Sequence, residues 1–260
     1  MRVEAQGPVA TLILCNPERR NAMTPGMWRA LATVPQDLPA EVRVVVVRGE
    51  GVSFCAGLDL RMAGDGVPGE PTMAELLTGS RTDTERLIEG FQEAFTWLRD
   101  PRWITIAVVQ GHAVGGGLQL ALAADFRLLH SDAQLCMPEV ALGSIPDLTG
   151  TSPLVRLVGY SRALEICLTA RRIGADEALA IGLATRVVAP SEVEAALAEL
   201  VASALAPAAH SVRAVKATLL DASAHTLAEQ ALVERRIQAP VIRGEAERYG
   251  LIFRSDGSVA

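Results

Sequence analysis

The chain has 260 residues, 50% of them apolar, and a formal net charge of −6. That is enough apolar material for a substantial globular core, and the acidic balance argues against a nucleic-acid or anionic-membrane surface. No apolar run reaches the roughly 18 residues that a membrane span needs, and the 4 cysteines, Cys15, Cys55, Cys136 and Cys167, form no CxxC pair. The opening Met1-Arg2-Val3-Glu4 lacks the apolar core of a signal peptide, so a reduced cytoplasmic setting is expected.

Residues 9–14 and 42–47 are short β-branched runs that predict strands. Between them a helix is expected, with Thr24 as N-cap, Pro25 in its first turn, and Met27, Trp28, Leu31 and Val34 along it. Residues 63–79 are rich in Gly and Pro without periodicity and read as a mobile loop able to cover a site. A helix over 82–98 follows, where Leu87, Phe91, Phe95 and Leu98 recur at near-helical spacing. Further on, strands are expected at 126–129 and 134–137, then helices near 152–157 and 161–170. Repeated βα units predict an α/β core. From residue 191 the pattern is Ala-rich and helical with no convincing strand, which divides the chain into a core over 1–191 and a helical region over 192–260.

Two glycine turns stand out. Phe54-Cys55-Ala56-Gly57-Leu58-Asp59-Leu60 follows the second strand and leads to a helix-capping position. The segment from Ile106 to Ala121 passes from a β-type run through Gly115-Gly116-Gly117 into a helical pattern. A helix start carries unpaired amides and a positive dipole end, and glycine allows close approach, so these turns predict an oxyanion site built without a charged side chain.

The two turns resemble those of the crotonase family, also called the enoyl-CoA hydratase/isomerase superfamily. The likeness of the glycine run extends through Leu122-Ala123-Ala124-Asp125-Phe126, and the order of motifs agrees from Pro17 to about Gly159. The resemblance implies an α/β fold with a β-β-α spiral core and a helical C-terminal region. It implies an acyl-CoA thioester as ligand, held by the N–H groups of Leu58 and Gly116. No metal or redox cofactor is implied, because CoA is part of the substrate. A homotrimer or dimer of trimers is implied, built through the C-terminal helices. Residues 248–256 depart from the family's usual closing helix, which bears on any CoA contact supplied there.

Acyl-CoA chemistry at the α and β carbons needs both an oxyanion stabiliser and a base. At the family's two carboxylate positions this chain carries Gln119, which cannot take a proton, and Glu139. Glu139 lies in Met137-Pro138-Glu139-Val140-Ala141-Leu142-Gly143, an apolar stretch expected to desolvate it and raise its pKa toward neutrality. Asp147 has two readings: turn and helix-start chemistry, or a second carboxylate, since the dienoyl-CoA isomerase branch resembles this spacing. Gln119 reads as a pocket residue without a proton-transfer role. Asp59 is expected to cap the next helix, and Arg61, with Arg19 and Arg20, falls where the family often has cations near CoA phosphates. The resemblance thus assigns Glu139, Asp147, Leu58 and Gly116 to catalysis. Arg20, Ala22, Ala56, Asp59, Leu60, Arg61 and Gln119 fall to substrate binding.

Other classes fit poorly. Leu120 interrupts a dinucleotide fingerprint, His112, His130, His210 and His225 show no metal-ligand spacing, and no GxSxG turn is present. The expected activity is transformation of an acyl-CoA through a thioester enolate, with single-glutamate double-bond isomerisation favoured. The alternatives are enoyl-CoA hydration, dienoyl-CoA isomerisation, and a catalytically silent acyl-CoA carrier.

Overall fold

Parallel strands with apolar residues on both faces must be covered on both sides, and β3 (Val44–Gly49) and β4 (Ile104–Val109) are of this kind. In the computed structural model, which describes residues 1–220 and 222–243, they form the centre of a six-stranded sheet. Its order is β1 (Arg2–Gln6), β2 (Val9–Leu14), β3, β4, β6 (Phe126–His130), β9 (Arg186–Val188). Only β1 runs antiparallel to its neighbour. A smaller sheet joins β5 (His112–Val114), β7 (Gln134–Cys136) and β8 (Ile173–Gly174). The atypical tail read at residues 248–256 lies outside the described residues.

Each face of the large sheet has its own cover. Val47, Ala107, Val109 and Leu129 join the main core with α1 (Pro25–Asp37), α3 (Arg81–Thr96) and α4 (Gly116–Ala123). On the other face Val44, Val46, Ile106, Val108 and Leu128 pack on Val193 and Ala196 of α5 (Val193–Leu205). Arg43 donates to the carbonyls of Leu205 and Pro207, placing a cation at the C-terminal end of that helix.

The expected elements between residues 9 and 170 are present, with shifted ends. Thr24 caps α1 by accepting from the Met27 N–H, and the helix expected over 82–98 is α3, capped by Ser80 and Asp83 and extended by a 3-10 turn to Arg99. The helices α6 (Thr151–Val158) and α7 (Tyr160–Thr169) follow the second sheet. β1, β5, β8 and β9 carry no legible period. β1 is exposed throughout, and the others have three residues or fewer.

The stretch expected as a mobile loop is anchored. It holds the one-turn helix α2 (Met73–Leu76) with a Thr72–Glu75 capping box, and the Glu70 carboxylate accepts from the Gly26 N–H, the Thr24 hydroxyl and Arg29.

Two buried polar residues pin the segments that carry the site. Asn21 is fully buried at a left-handed φ of 56°. Its Nδ2 donates to the carbonyls of Glu50, Ser53 and Phe54, and its Oδ1 accepts from the Asn16 N–H at 2.8 Å. Lys216, on α8 (Ala209–Leu220), reaches through the core to Asp125 Oδ2 at 2.7 Å and to the Leu98 and Trp103 carbonyls. Asp125 Oδ2 also accepts from the N–H and hydroxyl of Thr105, so one carboxylate joins β4, the start of β6 and α8.

Two stability measurements check these pins by urea unfolding. Asn21→Ala strands buried carbonyls and an N–H, and is expected to cost at least about 2 kcal/mol. Lys216→Ala leaves a buried carboxylate without its cation, and is expected to cost about 3 kcal/mol. Wild-type midpoints in either variant contradict the assigned role.

Candidate active site

The two glycine turns meet. Segment 54–59 lies between the chain at 20–23 and strand β5: the Ala56 N–H donates to Arg20 O, Met23 N–H to Gly57 O, Cys55 N–H to His112 O, and Val114 N–H to Cys55 O. Gly57 has φ 82°, and a Cβ there would stand 2.5 Å from Val114 O and 3.3 Å from the Gly116 nitrogen. A Cβ on Gly117 would stand 2.3 Å from Cys55 O. Only glycine permits this approach at either point.

The amides at the crossing differ in one respect. Gly57 N–H donates to Cys55 Sγ, Asp59 N–H to Met23 O, and Gly115 N–H to Cys136 O. Among the described residues, the Leu58 and Gly116 N–H groups have no protein acceptor. Gly116 opens α4, so its N–H also sits at the positive end of a helix.

Glu139 begins a 3-10 turn that ends at Gly143 in the left-handed region, φ 74°. Its Oε1 accepts from Gln119 Nε2 at 2.8 Å and lies 3.3 Å from where a Gly115 Cβ would be. The carboxylate is therefore beside the residue that precedes the free Gly116 N–H. Its Oε2 is buried without a hydrogen-bond partner among the described residues. Burial pushes the Glu139 carboxyl above its ordinary range, the Asp147 charge adds to this, and the Gln119 hydrogen bond opposes it.

The expected source of that burial needs correcting. Met137 before it is fully buried, but Val140 and Leu142 after it point outward, 43% and 64% exposed, so that part of the apolar stretch does not desolvate Glu139. Packing against the glycine turn and Gln119 does.

Gln119 is 1% exposed and its polar atoms face protein groups: besides the bond to Glu139, its Oε1 accepts from the N–H groups of Leu148 and Gly150 at 2.9 and 3.2 Å. Asp147 precedes that clasp. It does not cap α6, whose N-cap is Gly150 without a side-chain hydrogen bond, and burial raises its carboxyl as well. Asp59 does cap, accepting from the Arg61 N–H, and it pairs with the Arg61 guanidinium, which lowers its own pKa. Ala22 is buried, Ala56 half-buried, and Arg20 and Leu60 exposed on the outer rim.

The structure thus gathers Leu58, Gly116, Gln119, Glu139 and Asp147, with Arg20, Leu60 and Arg61 outside them. Asn21 and the Gly150 turn escaped the sequence reading. The tolerance of asparagine for left-handed backbone is the one available signal for the first. A separate cavity of about 760 Å³ opens between α5, α8 and the C-terminal end of α4, lined by Leu122, Phe126, Leu157, Leu200, Val215 and Leu219. It holds none of the gathered residues, and the Lys216–Asp125 pair on its wall is self-satisfied.

Comparison with known proteins agrees with this geometry. The Enoyl-CoA hydratase/isomerase family model matches residues 4–253. The crystal structure of a Thermobifida fusca YX protein in complex with acetoacetyl-CoA superposes with a TM-score of 0.89 at 50% identity, covering 93% of this chain and 94% of that one. An enoyl-CoA isomerase/hydratase of Zymoseptoria tritici is 36% identical over 194 residues, 72% of this chain and 59% of the relative. A peroxisomal Delta(3,5)-Delta(2,4)-dienoyl-CoA isomerase of Arabidopsis thaliana is 31% identical over 191 residues, 72% of this chain and 68% of the relative. With a matching model that spans nearly the whole chain and a glycine crossing that leaves two amides free, the chain belongs to the enoyl-CoA hydratase/isomerase family.

Proposed function

We propose that the protein shifts the double bond of an enoyl-CoA, with Glu139 moving one proton between the α and γ carbons. The thioester oxygen takes hydrogen bonds from the Leu58 and Gly116 N–H groups. Glu139 Oε2 removes the α proton, the electron pair moves through the carbonyl to that oxygen, and the dienolate forms. The carboxyl then returns the proton at the γ carbon, the oxyanion collapses, and the base is regenerated without cofactor or net change of atoms. The observation that carries this reading is that Gln119 offers Glu139 an N–H where a second carboxyl would offer a proton relay.

One observation favours a second reading. Asp147 is also desolvated and acts electrostatically on Glu139, which suits a two-carboxylate reaction such as dienoyl-CoA isomerisation or hydration. A silent acyl-CoA carrier is the remaining outcome.

The rest of the assignment follows from exposed surface. Arg20 and Arg61 are the cations proposed to meet CoA phosphates. The helices after residue 192, where Val215, Leu219 and Leu227 are exposed, are proposed as the homotrimer or dimer-of-trimers surface of a region distinct from the 1–191 core. Four unbridged thiols, among them Cys55 with its pKa pushed up to about 12 by burial, suit a reducing cytoplasm.

The test is incubation with enoyl-, dienoyl- and branched acyl-CoAs in deuterated water, with deuterium located by mass spectrometry. Glu139→Gln is expected to keep thioester affinity and lower kcat by at least about 10²-fold. A small effect of Asp147→Asn supports the single-carboxylate reaction, and a loss matching Glu139→Gln supports the second reading. Turnover of no substrate by the wild type leaves the carrier.

A pH dependence follows as well. Activity requires the Glu139 carboxylate, so kcat falls as pH drops through its raised pKa. Because the folded-state pKa is raised, its stabilising contribution is full below the unfolded pKa and lost as pH rises through the folded one. Glu139→Gln is therefore expected to melt higher than wild type at neutral pH, with the difference closing in acid. Equal melting temperatures at neutral pH contradict the desolvation of this carboxyl.

A further inference from the structure

The orientation of Gln119 is dictated by its surroundings. Leu148 and Gly150 each present a backbone N–H to one end of its amide, and an N–H requires an acceptor, so the oxygen must face them. The amide nitrogen is thereby turned to Glu139 Oε1. A Cβ on Gly150 would stand 2.5 Å from Gln119 Cγ, so the turn wraps the side chain as closely as glycine allows. Residue 119 is 1% exposed, so its amide is held among protein groups on every side.

We propose that Gln119 is the positioning residue of the site, holding Glu139 by one carboxylate oxygen so that Oε2 alone transfers the proton. The inference rests on Glu139 being the base. It goes further by naming which oxygen reacts and what keeps it in place. Oε1 is occupied as an acceptor and Oε2 is buried without a partner. The same amide oxygen holds the backbone on both sides of Thr149, so Gln119 also fixes the turn that follows Asp147.

The titratable groups facing Glu139 are Asp147, the Cys136 thiol on β7 and the Cys167 thiol on α7, with Arg172 acting on Cys136. Burial raises both thiols, which keeps them uncharged, so among these neighbours it is the Asp147 charge that favours a neutral Glu139. The Gln119 N–H is the side-chain contact that favours its carboxylate. Losing it must move the acid limb of activity upward.

The experiment compares wild type, Gln119→Met and Gln119→Glu by the pH dependence of kcat and KM. It also follows the infrared carboxyl titration of Glu139, isolated as the difference from the same protein carrying Glu139→Gln. Gln119→Met keeps the volume and removes both polar atoms. It is expected to lower kcat about 10-fold or more with little change in KM, and to move both the acid limb and the infrared titration to higher pH. Gln119→Glu keeps an acceptor for the Leu148 and Gly150 N–H groups, so it decides the matter if Gln119→Met fails to fold. Two facing carboxyls must then share a proton, and the pair is expected to titrate in two separated steps. Wild-type kcat with an unmoved Glu139 titration in the folded variants overturns the positioning role. Full activity of Glu139→Gln instead overturns the base assignment, and the infrared titration still reports whether Gln119 tunes Glu139.

Discussion

The close approach of two backbone turns is the constraint on which the site depends. Gly57 and Gly117 sit where any side chain would strike a carbonyl of the other turn, 2.5 Å from Val114 O and 2.3 Å from Cys55 O. That approach leaves Leu58 and Gly116 with N–H groups free of protein acceptors, and it is secured from behind by Asn21, whose amide gathers the carbonyls leading into the first turn. Donors held this way need no reorganisation when charge develops on a bound oxygen, which is how fixed dipoles contribute to catalysis.

A desolvated carboxyl is set beside this frame by a second backbone-anchored residue. Glu139 starts a turn whose outer side is open to solvent, yet its carboxyl is turned inward against Gly115 and Gln119. An ionised carboxylate placed there is costly, and hydrogen bonds from its own backbone and from Gln119 offset part of that cost. A carboxyl with a raised pKa and one occupied oxygen follows from the same geometry. Stability is lost in holding such a group, and desolvated titratable groups of this kind cluster at functional sites.

The C-terminal helices belong to this arrangement through the core. Val193 and Ala196 complete the second face of the large sheet, and Lys216 ties α8 to Asp125 at the entry to β6. Asp125 follows directly on Ala124 at the C-terminal end of α4, whose first N–H is one of the two left without a protein acceptor. The helical region therefore supports the donor helix from its far end.

Much of the fold was legible because its signals are local. β-branched runs announced β2, β3 and β4, Thr24-Pro25 announced α1, and glycines announced both turns. Where periods were absent, in the exposed β1 and the two- and three-residue strands β5, β8 and β9, pairing with distant partners decided the structure. The family and the candidate Glu139 were likewise present in the order of motifs. Sequence could not show that Gln119 joins Glu139 to the turn after Asp147, since Glu139 and Leu148 lie 20 and 29 positions beyond Gln119 and meet it only after folding. Nor could it show what desolvates Glu139: the apolar Val140 and Leu142 that follow it face solvent, and the glycine turn packs against its carboxyl. Residue types and turn chemistry are fixed by covalent order and local sterics. Proton affinity and donor aim depend on the dielectric and the partners that tertiary packing supplies.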